Sequence, residues 1–301
     1  MNVLVATDGS KYGRWGLNWV AKLPFVEPVK VTALHVLDLS ALRAPFLWQP
    51  VMAGSERYIQ EEIQRMAARS AKTLKEATQQ LAALKLKGTV LKEQGAIAPE
   101  ILKHVPKQDG LLVVGSKGLD ALDRFMLGSV STNLIHHATC PVLVVKDEAV
   151  PLRRITLATD GSDASAKALE FVLTKFQPDR STGEGGLVPI HVSVVHVMAS
   201  SPLAPITINL AMPWNKHPGL NEANHKLIEQ SVRKLIKAGF TAELVYQFGN
   251  RAEKIMKVAS KHHADLIVMG AKGMGAIDRF LLGSVSTRVV QHSSCSVLVV
   301  R

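Results

Sequence analysis

The sequence predicts an α/β protein of two doubly wound domains, each a five-stranded parallel sheet with helices on both faces. Three observations carry this expectation. Short, β-branched apolar runs alternate with longer amphipathic stretches along the chain, as when parallel strands are joined by crossover helices. The same series of elements is traversed twice, with matching beginnings and endings. The 301 residues, 47% of them hydrophobic, suffice for about two cores of ordinary size.

In the first half the run around Val3-Leu4-Val5 reads as a strand over about 2 to 8, and Ser10 as the start of a helix. A strand follows at about 29 to 37, then a long helix at about 55 to 84, a strand at 89 to 94 and a helix at 98 to 105. Leu111-Leu112-Val113-Val114 is short and wholly apolar, so it reads as a buried strand over 111 to 115. A helix begins at Ser129, in the segment Ser-Val-Ser-Thr, and the last strand covers 141 to 145.

The second half repeats this order. Val3 to Ser10 is matched by Ile155 to Ser162, which ends in the same Ala-Thr-Asp-Gly-Ser, and Cys140 to Val145 by Cys295 to Val300. A period this long is a duplicated domain rather than a solenoid. The boundaries read as 1–147 and 152–301, joined by the polar stretch Lys146 to Arg153 with Pro151. Pro178 to Gly186 and the Pro-rich Ser200 to Gly219 read as surface loops; Leu39 to Gly54 follows the second strand as Ser200 to Gly219 does. These two long segments either cover a ligand crevice or are variable surface.

Composition narrows the function class. No apolar stretch reaches the length of a membrane span, and the amino terminus does not show a basic region followed by an apolar core and cleavage site; cytoplasm is the default expectation, with no membrane partner. Cys140 and Cys295 each precede an apolar run and read as small buried residues rather than a disulfide, redox or metal pair. The net charge of +11 favours anionic partners: ATP, nucleic acid or an acidic surface. With 5% aromatic residues and no recognised nucleic-acid motif, the nucleic-acid reading ranks last.

The residues that carry chemistry also come in two copies. After the apolar run ending at Val114 stand Gly115, Gly118 and Gly128-Ser129; after Leu266-Ile267-Val268-Met269 stand Gly270, Gly273 and Gly283-Ser284, the same G-x2-G-x9-G-S spacing. Glycines admit an anion close to the backbone, and a helix amino terminus offers free N–H groups and a positive dipole end, so each copy suits a phosphate. In an open parallel sheet ligands sit beyond the carboxyl ends of the strands, where strand order reverses. Thr7-Asp8 and Thr159-Asp160 close the first strands there. Such an aspartate either accepts ribose hydroxyls or helps hold a phosphate-bound metal; alternatively Asp-Gly-Ser is a turn and cap, with Ser10 and Ser162 capping. Ser129, Ser131, Ser284 and Ser286 carry the same two readings, cap or phosphate contact.

Neither G-x-x-x-x-G-K-[ST] nor a G-x-G-x-x-G after the first strand is present, which sets aside the Walker loop and the dinucleotide fingerprint. Lys117 and Lys272 lie inside the glycine turns, as phosphate contacts or solvated lysines. Asp123-Arg124-Phe125 and Asp278-Arg279-Phe280 read as loop-fixing pairs. His35 and His196 match in the second strands, while His136-His137 and His262-His263 lie near helix ends, where the dipole accounts for them. No spacing makes a metal site or a Ser-His-acid arrangement, so no catalytic residue is assigned.

Ala6-Thr7-Asp8-Gly9-Ser10, Leu34-His35-Val36, Gly115-Ser116-Lys117-Gly118 with Leu127-Gly128-Ser129-Val130-Ser131, Pro141-Val142-Leu143-Val144-Val145, and the second copy of each, resemble the universal stress proteins, in the branch that binds ATP. The resemblance covers nearly the whole chain and implies a Rossmann-like fold of the adenine nucleotide alpha hydrolase kind. It implies that Ala6, Thr7 and Asp8 hold adenosine, that the Val36 backbone contacts adenine, and that Gly115, Gly118, Gly128, Ser129, Val130 and Ser131 surround ribose and phosphates. In the second copy the corresponding residues are Ala158, Thr159, Asp160, Val197, Gly270, Gly273, Gly283, Ser284, Val285 and Ser286. The implied cofactor is ATP, with or without Mg²⁺. The implied assembly pairs the final strands, Val142 to Val145 and Val297 to Val300, antiparallel in an intramolecular pseudo-dimer that is open to further homo-oligomerisation, which would also cover apolar edges. The expected function is a nucleotide-responsive stress factor with an unidentified protein partner; the alternatives are a slow ATP-hydrolysing enzyme and, last, a basic nucleic-acid or anionic-surface binder. One departure between the copies is Asp109-Gly110-Leu111 against Ala264-Asp265-Leu266, where the acid before the fourth strand is shifted.

Overall fold

Residues 1–39, 55–118, 127–181, 187–198, 222–273 and 282–301 are described by the structure, a computed structural model. They fall into two units, Met1–Lys22 with Pro28–Ala149 and Leu23–Glu27 with Val150–Arg301.

Unit 1 runs β1 (Asn2–Ala6), α1 (Lys11–Lys22), β2 (Lys30–Leu37), α2 (Ser55–Ala83), β3 (Gly88–Gln94), α3 (Ile97–His104), β4 (Gly110–Gly115), α4 (Ser129–His137) and β5 (Val142–Val145). Its strands pair in parallel in the order β3-β2-β1-β4-β5. The chain leaves β1 to one side for β2 and β3, then crosses to the other for β4 and β5, so strand order reverses between β1 and β4. The central strands read as unbroken apolar runs because helices cover both faces: Val3 to Val5, Leu111 to Val114 and Val142 to Val145 are all 2% exposed or less. Gly13, Gly16, Leu17, Trp19 and Val20 form the buried stripe of α1. A Cβ on Gly16 would stand 3.2 Å from Val5 Cγ1 and 3.4 Å from Val113 Cγ1, so this glycine lets α1 lie close over the β1–β4 pair. Helices α1 and α2 touch each other, as do α3 and α4. The polar stretch read as a linker is partly anchored: Ala149 is buried, the Trp19 indole N–H donates to Asp147 O at 3.0 Å and Lys22 Nζ to Ala149 O at 2.6 Å.

Unit 2 runs β6 (Arg154–Ala158), α5 (Asp163–Lys175), β7 (Asp179–Ser181), β8 (Leu187–Pro189), β9 (His191–Met198), α6 (Glu222–Lys237), β10 (Thr241–Phe248), α7 (Arg251–Lys261), β11 (Leu266–Gly270), α8 (Ser284–His292) and β12 (Ser296–Val300). Its main sheet is parallel in the order β10-β9-β6-β11-β12, with the same reversal between β6 and β11. The insert read as a loop differs from expectation: β7 and β8 form a short antiparallel ladder, Asp179 facing Pro189. Three residues a side give no periodicity long enough to read in sequence. Leu23–Glu27 belong to unit 2, where Val26 N–H donates to Lys175 O at 3.0 Å and Gln177 N–H to Pro24 O at 2.7 Å.

Both cysteines are buried free thiols. Among the described residues no helix is long and apolar enough to cross a membrane. Nearly all of Leu39 to Gly54, all of Ser200 to Gly219, and the segments with Asp123-Arg124-Phe125 and Asp278-Arg279-Phe280 lie outside the described residues.

Candidate functional site

The first wall of each crevice is the turn that leaves the first strand. In unit 1 Asp8 Oδ1 accepts the Ser10 N–H at 2.9 Å, and Gly9, at φ +83°, supplies the left-handed residue the turn needs. Ser10 Oγ then accepts the Gly13 N–H at 3.3 Å, satisfying an amide of the first turn of α1. Unit 2 builds the same turn: Asp160 Oδ1 accepts Ser162 N–H at 3.0 Å and the Ser162 hydroxyl at 2.6 Å, Gly161 has φ +81°, and Ser162 caps α5 through Ser165 N–H at 3.3 Å. The turn reading of the aspartates therefore accounts for one oxygen of each carboxylate. The second oxygen faces the glycine loop: a Cβ on Gly118 would lie 2.9 Å from Asp8 Oδ2, and one on Gly273 2.6 Å from Asp160 Oδ2. The tertiary fold thus brings the first-strand aspartate against the second glycine of the spacing.

Opposite stand the described ends of the glycine segment, 115–118 with 127–128 in unit 1 and 270–273 with 282–283 in unit 2. Gly115 and Gly270 end β4 and β11 and admit no side chain, since a Cβ would come 2.6 Å from Tyr12 Cβ in one case and 2.6 Å from the Ala164 carbonyl carbon in the other. Each loop is closed at its base: Gly128 N–H donates to Ser116 O and Gly283 N–H to Ala271 O, both at 2.8 Å. Helices α4 and α8 therefore start beside the strand ends. Their amino-cap residues are Gly128 and Gly283, which offer no side-chain acceptor, so the first-turn amides of Ser129, Val130, Ser284 and Val285 receive no side-chain cap. An uncapped helix amino terminus is a site suited to an anion. Ser129 and Ser284 are exposed there, whereas Ser131 and Ser286 are buried. Their hydroxyls turn back to the strand end, Ser131 Oγ donating to Gly115 O at 2.6 Å and Ser286 Oγ to Ala271 O at 2.7 Å. Of the four serines, the outer two stand open at the crevice and the inner two fasten helix to strand.

Two residues that carried no assignment from sequence also belong here. The His35 imidazole reaches Thr7 O at 2.9 Å through Nδ1, and His196 reaches Thr159 O at the same distance. A carbonyl only accepts, so Nδ1 carries the proton in both rings. The histidine before Val36 or Val197 thus props the strand end that carries Thr-Asp. Their matching positions in the second strands were the signal; what they touch is set by the β1–β2 and β6–β9 registers. His35 Nε2 is buried without a hydrogen-bond partner among the described residues. The ring of His196 meets Tyr246 edge to face at 6.0 Å, the Tyr246 hydroxyl bonds His225 Nδ1, and His225 Nε2 lies 3.2 Å from Glu229. Burial, reinforced by the Glu229 charge, pushes the Tyr246 phenol up to about 12. Val36 and Val197 sit at the carboxyl ends of β2 and β9, both largely buried.

The remaining histidines lie elsewhere. His191 and His262 bracket Glu243 Oε1 at 3.2 and 3.0 Å, with Ser193 Oγ at 2.9 Å, at the amino ends of β9 and β10 and away from the crevice. Burial raises the Glu243 carboxyl, but hydrogen bonds from His191 and Ser193 and the two imidazole charges leave it below its ordinary value. Among the described residues, no group of three or more His, Cys, Asp or Glu is placed to hold a metal ion.

An open sheet of order 3-2-1-4-5, with paired glycines and an uncapped helix terminus at the reversal point, defines a doubly wound α/β protein in each unit. The model of the universal stress protein family matches residues 1–146 and again 151–301, and the chain belongs to that family. It is 28% identical over 309 residues to a universal stress protein of Mycolicibacterium smegmatis, covering 99% of this chain and 96% of the relative. A Bacillus subtilis universal stress protein is 32% identical over 154 residues, 49% of this chain and 98% of its own length. The crystal structure of a universal stress protein from Archaeoglobus fulgidus superposes with a TM-score of 0.65 at 22% identity, over 100% of this chain and 98% of that one, and shares the fold.

Proposed function

We propose that this chain binds ATP at two sites, one in each unit, and acts as a nucleotide-responsive stress factor read by a protein partner. The observation that supports this best is the paired approach of Asp8 Oδ2 to Gly118 and Asp160 Oδ2 to Gly273, each beside a helix whose amino terminus has no side-chain cap. A ribose offers hydroxyls to the carboxylate while its phosphates meet backbone N–H groups that no Cβ screens.

In this reading Ala6, Thr7, Asp8 and Val36 hold the adenosine of the first site, and Gly115, Gly118, Gly128, Ser129 and Val130 its phosphates. Ala158, Thr159, Asp160, Val197, Gly270, Gly273, Gly283, Ser284 and Val285 do the same in the second. Ser131 and Ser286 act through position, fastening the helix that presents the amides. Calorimetric titration of nucleotide-free protein with ATP tests the proposal, with mass spectrometry of co-purified ligand as an independent measure. Two nucleotides per chain is the expected result, and no binding up to millimolar ATP would overturn it.

A further inference from the structure

The two crevices share a scaffold but not a rim. Helix α1 opens with Lys11 and has no acid in its first turn, whereas α5 opens with Asp163. A cation at a helix amino terminus opposes the helix dipole, so Lys11 stands where helix stability alone would favour an acid. Its ammonium is held 5.1 Å from the Tyr12 ring and 5.3 Å from Trp15, which themselves meet edge to face. Tyr12 is the residue that abuts Gly115, so this cluster borders the first crevice directly. Arg14 Nη1 donates to Gly9 O at 2.7 Å, folding the guanidinium back onto the Asp8-Gly9 turn. Unit 2 has Ala164 against its Gly270, and Ala166 and Lys167 stand where unit 1 has Arg14 and Trp15. The β2 and β9 side adds no net contrast: Lys92 and Glu93 are in register with His35 and Val36, and the uncharged Tyr246 and Gln247 with His196 and Val197, so the difference in charge lies at the helix amino termini. Lys117 and Lys272 occupy matching positions and do not distinguish the sites.

We infer that the two sites are not equivalent: the first selects the more highly phosphorylated adenine nucleotide, with Lys11 and Arg14 setting that selectivity, and the second discriminates less by charge. This rests on reading both crevices as adenine-nucleotide sites. ATP carries more negative charge than AMP at neutral pH, so cations within about one Debye length favour ATP over AMP, more strongly at low salt. Because these charges are exposed, the expected difference in the ATP-to-AMP preference is about three- to tenfold.

The test titrates nucleotide-free full-length protein with ATP and with AMP at low and high ionic strength. The wild type, K11D/R14A and the mirrored D163K/A166R are compared, with thermal melts to confirm folding. K11D supplies the acid that the helix dipole favours, and the melts check that loss of the Arg14 bond to Gly9 O leaves the fold intact. The expected result is two classes of site whose ATP-to-AMP ratios differ about three- to tenfold at low salt and converge at high salt. K11D/R14A lowers the ratio of the discriminating class by weakening ATP more than AMP, which carries less charge; D163K/A166R raises the ratio of the other class. Equal sites in the wild type, or a K11D/R14A change that weakens ATP and AMP alike, overturn the inference while leaving nucleotide binding intact. Failure of either nucleotide to bind the wild type removes the nucleotide reading itself.

Discussion

Unit 1 and unit 2 make the same Asp-Gly-Ser turn, with glycine φ of +83° and +81°, yet they fasten the helix that follows the fourth strand of the fold differently. Ser131 donates to Gly115 O, the last residue of β4, whereas Ser286 donates to Ala271 O, one residue further on, and also lies 3.1 Å from Gly283 O. In the second strand of each fold, His35 keeps a buried Nε2 without a partner among the described residues, while His196 leads into Tyr246, His225 and Glu229. What the copies hold in common is the backbone: strand ends, glycines and a propped Thr carbonyl. What differs is the side chains around it. A duplicated fold can therefore keep one backbone geometry while changing the side chains around it.

The sharpest break of the comparison is at the strand-ending glycines. Gly270→Ala would drive a Cβ to within 2.6 Å of the Ala164 backbone, and backbone yields less readily than a side chain. It is expected to cost about 1 to 3 kcal/mol of stability and to remove one nucleotide per chain, read by denaturant melts and calorimetry. Gly115→Ala, which meets the Tyr12 Cβ first, should cost no more. If it costs more, the first crevice is the more tightly built of the two.

Next come the aspartates. Asp8→Ala and Asp160→Ala each remove both the turn acceptor and the oxygen that faces the glycine loop. Each should weaken ATP at its own site by about 10- to 100-fold, the range for a hydrogen bond to a charged group, with the other site unchanged in titration. Loss at both sites from a single substitution would break the picture of two self-sufficient crevices.

A smaller effect separates the inner serines. Ser286→Ala loses a hydroxyl within reach of two carbonyls and Ser131→Ala loses one, so each should cost about 1 kcal/mol or somewhat more, the former the larger. The smallest effect belongs to unit 2 alone. The Tyr246 phenol ionises near 10 when unfolded and at about 12 when folded, so its contribution is present below pH 10 and fades as pH rises through 12. Tyr246→Phe should flatten that alkaline loss, measured as the melting temperature against pH, and leave the acid side unchanged. An unaltered alkaline profile would mean that the phenol is not as secluded as its contacts indicate.

Much of this architecture is legible in the residues because parallel strands covered on both faces must be apolar throughout, as in Leu111 to Val114 and Leu266 to Met269. The matched G-x2-G-x9-G-S pattern is legible for a related reason: backbone that approaches an anion or another main chain leaves glycine as its trace. The β7–β8 ladder was not legible, because its three-residue strands carry no period. Nor was the allegiance of Leu23–Glu27 to unit 2, where main-chain bonds to Lys175 and Gln177 accompany the packing of Phe25 on Phe176, a pairing far apart in the chain.

By itself, then, the sequence determined the duplication, the order of elements in each half and the positions where glycine and aspartate are required. Each of these follows from local backbone geometry or from burial along a single element. The tertiary structure alone decided that the second oxygen of Asp8 and Asp160 faces Gly118 or Gly273, that Ser131 and Ser286 point inward, and that His35 and His196 prop the Thr carbonyl. Those roles depend on which strand lies beside which, and hydrogen bonds across such long sequence separations leave no periodicity in the chain to read.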